Sequence, residues 1–129
     1  MQFNIHKLEI GLFVSIFLLI ISCNRKSDVG KQLFIKVNSI DKETRQVRVN
    51  TFDTIEVRTP GIGYLMKTQE KVGEYITDSS GSVVIKIYTD KNYHLILGGD
   101  NAYGSVDINK GSMINGQMVT IKVTSFNKR

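Results

Sequence analysis

The sequence predicts an all-β domain, an antiparallel β-sandwich or small barrel of about seven strands, behind an N-terminal signal segment. From Lys31 onward, apolar residues recur with a period of two, which is the period of a strand that buries one face. Breakers rich in Asp, Asn, Gly and Pro separate these runs at short intervals, as in antiparallel sheets with tight turns. No segment shows a convincing apolar stripe at helical spacing.

Six runs carry the clearest alternation. Their inward-facing residues are, in chain order, Leu33, Ile35 and Val37; Val47 and Val49; Ile55 and Val57; Val83, Ile85 and Ile87; Tyr93, Leu95 and Leu97; and Val119, Ile121 and Val123. Weaker strands are predicted over residues 64–68, 72–77 and 104–108. We therefore assign residues 31–129 to a single sandwich domain.

An apolar run of 12 residues, 10–21, follows a polar start that contains Lys7. A helix that spans a bilayer needs about 20 apolar residues. The core of a secretory signal peptide needs roughly 7–15. The length therefore favours a signal peptide over residues 1–22.

The only cysteine of the chain, Cys23, follows this run after a single serine, Ser22. The sequence Ile20-Ile21-Ser22-Cys23 resembles the lipobox of bacterial lipoproteins, which has an aliphatic residue three positions before the cysteine and a small residue one position before it. The resemblance implies that the Cys23 thiol receives a diacylglyceryl group and that a peptidase cuts before it. Membrane lipid is then a partner through the acylated cysteine.

Residues 23–30 are polar after the cysteine and have no apolar period, so they are predicted to form a short lipidated tether. The expected location is a bacterial cell membrane. Asn24 stands where the best-known sorting system uses Asp for retention in the inner membrane, which favours the outer membrane.

The segment "YITDSSGSVVIKIYTDKNYHLIL" contains a predicted turn between two strands. Asp78 suits the first position of a type I turn, where its carboxylate accepts a backbone N–H two residues later. Gly81 suits a left-handed position after it. Thr77-Asp78, Gly81, an alternating strand and a later Tyr93 resemble the transthyretin-like, carboxypeptidase-regulatory-like and Cna B-type domains of secreted bacterial proteins.

That resemblance implies a seven-stranded sandwich that works as a stalk, an adaptor or a binding module and not as an enzyme. We expect a non-catalytic surface presented at the membrane to another envelope protein or to a glycan. One alternative is a component of a secretion or transport complex in the envelope. A lower-ranked alternative is a hydrolase accessory or an enzyme that works through His94 and acidic loop residues.

Candidate contact residues are few. The predicted binding surface consists of Arg45, Arg48, Arg58, Tyr88 and His94. The arginines would form a basic stripe if their strands paired. The formal charge of +5 favours acidic surfaces in general, although nucleic acid is excluded by the expected location. No residue spacing predicts a metal site, a catalytic triad or a cofactor.

Overall fold

The structure is a computed structural model that describes residues 30–99 and 101–126. These residues form seven strands and no helix. The strands are β1 (Gln32–Asp41), β2 (Thr54–Pro60), β3 (Gln69–Ile76), β4 (Ser82–Tyr88), β5 (Tyr93–Gly99), β6 (Ala102–Ile108) and β7 (Met118–Ser125). The predicted all-β fold with about seven strands is confirmed.

The strands are hydrogen-bonded in the order β3-β2-β5-β6-β7-β1-β4. All neighbouring strands are antiparallel except β1 and β7, which are parallel. The ladder between β6 and β7 has the fewest residue pairs. It runs from the pair Ala102–Ser125 to the pair Gly104–Val123. A Cβ on Gly104 would lie 2.6 Å from the Lys122 carbonyl oxygen, so only glycine allows this close approach at the junction.

One hydrophobic core joins the two halves of this strand order. The inward residues of six strands belong to one buried cluster, namely Leu33, Ile35, Val37, Ile55, Val57, Ile85, Ile87, Tyr93, Leu95, Leu97, Ala102, Ile108, Val119, Ile121 and Val123. β1 and β7, for example, alternate between buried and more exposed positions, because successive side chains point to opposite faces. Residues from both halves can share a core only if β3-β2-β5-β6 and β7-β1-β4 face each other as a sandwich.

The predicted strand around Val47 and Val49 is wrong. These side chains are 44% and 55% exposed, and the segment makes one isolated bridge, between Ile40 and Val47. Asn50 has φ 56° and Phe52 has φ 48°, and these left-handed residues turn the chain out of an extended path. Residues 42–53 therefore form a long connection between β1 and β2.

The predicted strand over residues 64–68 is also wrong. These residues lie in the connection between β2 and β3, which is closed by a 2.8 Å bond from Gly61 N to the Thr68 carbonyl oxygen. Gly63 allows the loop to bend tightly, since a Cβ there would lie 1.9 Å from the Met66 carbonyl oxygen. The strands predicted over 72–77 and 104–108 are present as β3 and β6.

Candidate functional site at the end where the chain enters the sandwich

The sandwich has two ends, and the chain enters β1 at one of them. Gln32 pairs with Tyr88, so the start of β1 lies beside the end of β4. Tyr93 pairs with Ile108, which brings the end of β6 beside the start of β5. We call this the entry end; it consists of residues 30–31, 61–68, 89–92 and 109–117.

The first described residues are fixed at the entry end by backbone contacts. Lys31 N donates to Thr89 Oγ1 at 2.9 Å, and Thr89 N donates to the Lys31 carbonyl oxygen at 3.0 Å. Gly30 lies so close to Asp90 that a Cβ there would be 1.8 Å from the Asp90 carboxylate. The path of the chain into the sandwich is therefore defined from Gly30 onward.

Residues 61–68, which we call the apolar loop, extend from the entry end into solvent. Ile62, Tyr64 and Leu65 are fully exposed, at 98%, 102% and 97%, and Met66 is 77% exposed. Single exposed apolar residues are ordinary, but a contiguous apolar surface of this kind marks a contact site. The prediction from sequence missed it because residues 64–68 were assigned to a strand.

Two pockets lie near the entry end, and the larger includes part of the apolar loop. The larger, of about 400 Å³, is lined by Thr59, Pro60, Gly61, Ile62, Glu70, Lys91 and Asn92. The smaller, of about 120 Å³, is lined by Thr59, Val72, Tyr75, Lys86, Tyr88, Lys91 and Tyr93. Because Lys91 and Thr59 line both pockets, the β4–β5 turn and the end of β2 lie next to each other.

Tyr88, one of the predicted contact residues, lies in the wall of the smaller pocket. Lys91 Nζ stands 5.7 Å from the centre of the Tyr88 ring, within the range of a cation–π contact. The Tyr93 hydroxyl accepts a 2.9 Å bond from Tyr88 N, and burial raises the pKa of Tyr93. The pocket is thus aromatic with a cationic rim.

Lysines outnumber carboxylates at the entry end. The connections there carry Lys31, Lys67, Lys91 and Lys110 against Asp90. We therefore expect the positively charged entry end to be attracted to an anionic surface at short range.

The opposite end of the sandwich holds Arg45 and Arg48. Arg48 Nε lies 2.9 Å from Asp53 Oδ2 and Nη2 lies 3.1 Å from Oδ1, while Nη1 donates to Ser125 Oγ at 2.8 Å. Thr51 Oγ1 donates to Asp53 Oδ2 at 2.8 Å. Burial alone would raise the pKa of Asp53, but the hydrogen bonds from Arg48 and Thr51 outweigh it and the pKa is lowered.

A pocket of about 460 Å³ adjoins this pair and is lined by Arg48, Thr51, Phe52, Asp53, Thr54, Gly98 and Gly99. The Arg48 guanidinium is already held by Asp53 and Ser125, so it closes the 42–53 connection and is not presented to a ligand. Arg45 stands in the same connection, exposed and with φ 59°.

The Asp78–Gly81 turn supports the same connection. Asp78 Oδ1 accepts from Ser80 N at 2.9 Å and from Ser82 N at 3.1 Å, and Gly81 has φ 75°. The bond from the Ser80 hydroxyl and the one from Ser82 N lower the pKa of Asp78. A Cβ on Gly81 would lie 2.5 Å from the Arg48 carbonyl oxygen.

Arg58 and His94 lie on the outer face of the β3-β2-β5-β6 layer. They are direct neighbours in the β2–β5 ladder. Arg58 Nη2 lies 2.7 Å from Glu56 Oε2, and His94 Nδ1 lies 2.5 Å from Asp107 Oδ1. Each candidate is therefore in contact with a carboxylate at the surface. A surface ion pair such as Arg58–Glu56 contributes little to stability.

The five predicted contact residues do not form one surface. Arg45 and Arg48 lie at the opposite end, Tyr88 at the entry end, and Arg58 and His94 on one outer face. The basic stripe required paired strands, and the segment that contains Arg45 and Arg48 is a loop.

Within the described residues, no three His, Cys, Asp or Glu side chains are grouped as metal ligands would be. Cys23 lies outside the described residues.

A comparison with solved structures finds a similar fold in a shaft pilin. The C-terminal domain of the shaft pilin SpaA from Lactobacillus rhamnosus GG matches with a TM-score of 0.52 and 12% identity, covering 74% of this chain and 99% of that domain. A mutant of the longer SpaA matches with a TM-score of 0.52 and 11% identity, covering 77% of this chain. This chain covers 48% of that longer structure, and at this identity the likeness shows the fold alone.

No family model matches the sequence, and no curated protein matches it. None of the described residues forms a helix with the length and hydropathy of a transmembrane span.

Proposed function

We propose that the protein is a lipoprotein of the bacterial cell envelope, anchored through acylated Cys23, whose sandwich has a non-catalytic structural or binding role. The observation that carries the proposal is the order Ile20-Ile21-Ser22-Cys23 at the end of a 12-residue apolar run. The outer membrane is the expected destination, since Asn24 and not Asp follows the cysteine. The likeness in fold to a shaft pilin domain supports a structural role.

Replacing Cys23 with Ser removes the acceptor thiol, so metabolic labelling with a fatty-acid analogue should be lost. The mature wild-type protein should begin at Cys23, as measured by the mass of its N-terminal peptide. A matched control, Cys23→Ser with Ser27→Cys, restores a thiol four residues later without the lipobox order and should stay unlabelled. Label in Cys23→Ser, or an unmodified wild-type N-terminus at another residue, would refute the anchor.

A second candidate function is that of a subunit in an envelope protein assembly. It is favoured by the outer face of β4, β1 and β7, where Phe34, Val84 and Met118 are exposed. Lys36 is the ladder neighbour of both Val84 and Met118, so these two side chains flank it on one face. β4 is also an edge strand, which can accept a further strand from a partner.

A photo-crosslinking amino acid at position 84 should form a discrete adduct with an envelope protein in living cells. The same amino acid at Ser105, exposed on β6 in the other layer, is the control and should form none. Equal adducts from both positions, or none from position 84, would count against an assembly surface on this face.

A further inference from the structure

We propose that the apolar loop, residues 61–68, enters the interface of the lipid bilayer and forms a second membrane contact beside the acyl anchor. The inference deepens the proposed function and rests on it, because the anchor is what brings the loop to the membrane. The sandwich would then stand with its entry end toward the bilayer and its opposite end toward the aqueous compartment.

The first argument is the exposure of the loop. Ile62, Tyr64, Leu65 and Met66 present their side chains almost entirely to water, although residues of these types favour an apolar environment. The loop is closed at its base by Gly61 and Thr68, so the apolar side chains are held on a projecting segment. A projecting loop is suited to insertion into a soft surface, whereas a flat patch is suited to another protein.

The second argument is the position of the loop relative to the anchor. Cys23 precedes Gly30 by seven residues, which span at most about 25 Å when fully extended. Gly30 and Lys31 are fixed to Thr89 and Asp90 at the entry end, and Ile62 shares a pocket with Lys91 of the same turn. A strand of ten residues such as β1 is about 33 Å long, so the tether keeps the entry end nearer to the bilayer than the opposite end.

The third argument is charge. The connections of the entry end carry four lysines, one of them in the apolar loop itself, against the single carboxylate of Asp90. In the tether sequence, Arg25 and Lys26 against Asp28 add one further net positive charge. Basic residues next to an apolar tip match the anionic headgroups and acyl chains of a bilayer interface. Tyr64 fits the same boundary, because its ring is apolar and its hydroxyl is polar.

The test places an environment-sensitive fluorophore on the intact lipidated protein. Leu65→Cys provides the labelling site in the apolar loop, and Val49→Cys provides a matched site, since Val49 is exposed at the opposite end. Both proteins are reconstituted into vesicles of phosphatidylcholine and phosphatidylglycerol. At position 65 we expect blue-shifted emission and loss of quenching by aqueous iodide, while the probe at position 49 stays quenched.

Adding Ile62→Asp and Met66→Asp to the Leu65→Cys protein should restore quenching by iodide, because the charged side chains resist entry into the bilayer. The mass of the same samples reports whether Cys23 is acylated. An acylated protein whose probe at position 65 stays quenched overturns this inference and leaves the anchor intact. A shielded probe on a protein that is not acylated supports the loop contact and refutes the anchor.

Shielding at position 65 that appears only at high protein-to-lipid ratio would mean that the loop contacts a second copy of the chain, and it would overturn the bilayer contact. Shielding that is independent of the protein-to-lipid ratio supports it.

Discussion

Arg48→Met is expected to lower the free energy of unfolding by about 3–5 kcal/mol, the usual effect of removing one partner of a buried ion pair. Asp53 is 4% exposed, and two of its hydrogen bonds come from the Arg48 guanidinium. Methionine keeps much of the side-chain volume but leaves the buried carboxylate without its cation, while the hydrogen bond from Thr51 stays in place. Urea denaturation followed by circular dichroism at neutral pH would measure the change.

Arg45→Met is the matched control, because Arg45 is exposed in the same connection between β1 and β2. Its effect should be within about 0.5 kcal/mol, as for most surface substitutions. Arg48→Met combined with Asp53→Asn should cost less than the sum of the two single substitutions, since neither charge then remains unpaired. Equal urea midpoints for Arg45→Met and Arg48→Met would show that the ion pair does not stabilise the fold.

The same pair predicts a direction for the pH dependence. The pKa of Asp53 is lowered in the folded protein, so its stabilising contribution is present above the ordinary aspartate value of 3.8 and is lost as the pH falls through the lower folded pKa. Arg48→Met removes the hydrogen bonds and the positive charge of Arg48, which lower this pKa, so less of the contribution remains to be lost. The difference in stability between the two proteins should therefore narrow as the pH falls below 3.8, through the folded pKa of Asp53 in the unsubstituted protein.

The alternating strands were predictable from the sequence because each of them buries one face over several residues. Leu95 and Leu97 on β5, and Ile121 on β7, are fully buried where the period of two places them. The alternation specifies which residues face inward, but it does not specify which strands pair with each other. It therefore could not reveal that β1 lies between β4 and β7, with the β7 pairing parallel.

The segment around Val47 shows why alternation alone is insufficient. Its period of two is the same as that of the true strands, yet Asn50 and Phe52 adopt positive φ and end the extended path. Asparagine tolerates this conformation, but phenylalanine gives no local signal for it. The ion pair between Arg48 and Asp53 depends on that turn, so it could not be read from residue types five positions apart.

The apolar loop was missed for a related reason. Tyr64 and Met66 alternate as strand residues do, and the sequence alone cannot show that such residues lie outside the core. The signal present was the pair of glycines at 61 and 63, which indicates a bend and not a strand interior. The position of the loop near Gly30 follows from long-range pairing and could be obtained only from the fold.

Gly81→Ala is the second substitution with a large expected effect, on the order of 3 kcal/mol lost from the free energy of unfolding. Part of it is strain, because a side chain at φ 75° is disfavoured by about 1–3 kcal/mol. The rest is steric, because the new Cβ would lie 2.5 Å from the Arg48 carbonyl oxygen and 3.1 Å from Val47 Cγ1. Overpacking of this kind typically costs about 1–3 kcal/mol.

Gly111→Ala separates the two contributions. Gly111 has φ 72°, almost the same as Gly81, but a Cβ there would meet no atom of the described residues within 4 Å. Gly111→Ala should therefore lower stability only by the conformational part. Thermal denaturation should show the larger loss of stability for Gly81→Ala.

The steric part also predicts a local effect, because relief of the contact requires the 42–53 connection to move. Trypsin should then cleave after Arg48 faster in Gly81→Ala than in Gly111→Ala under native conditions; equal melting temperatures and equal cleavage rates would show that the turn and the connection are not in contact.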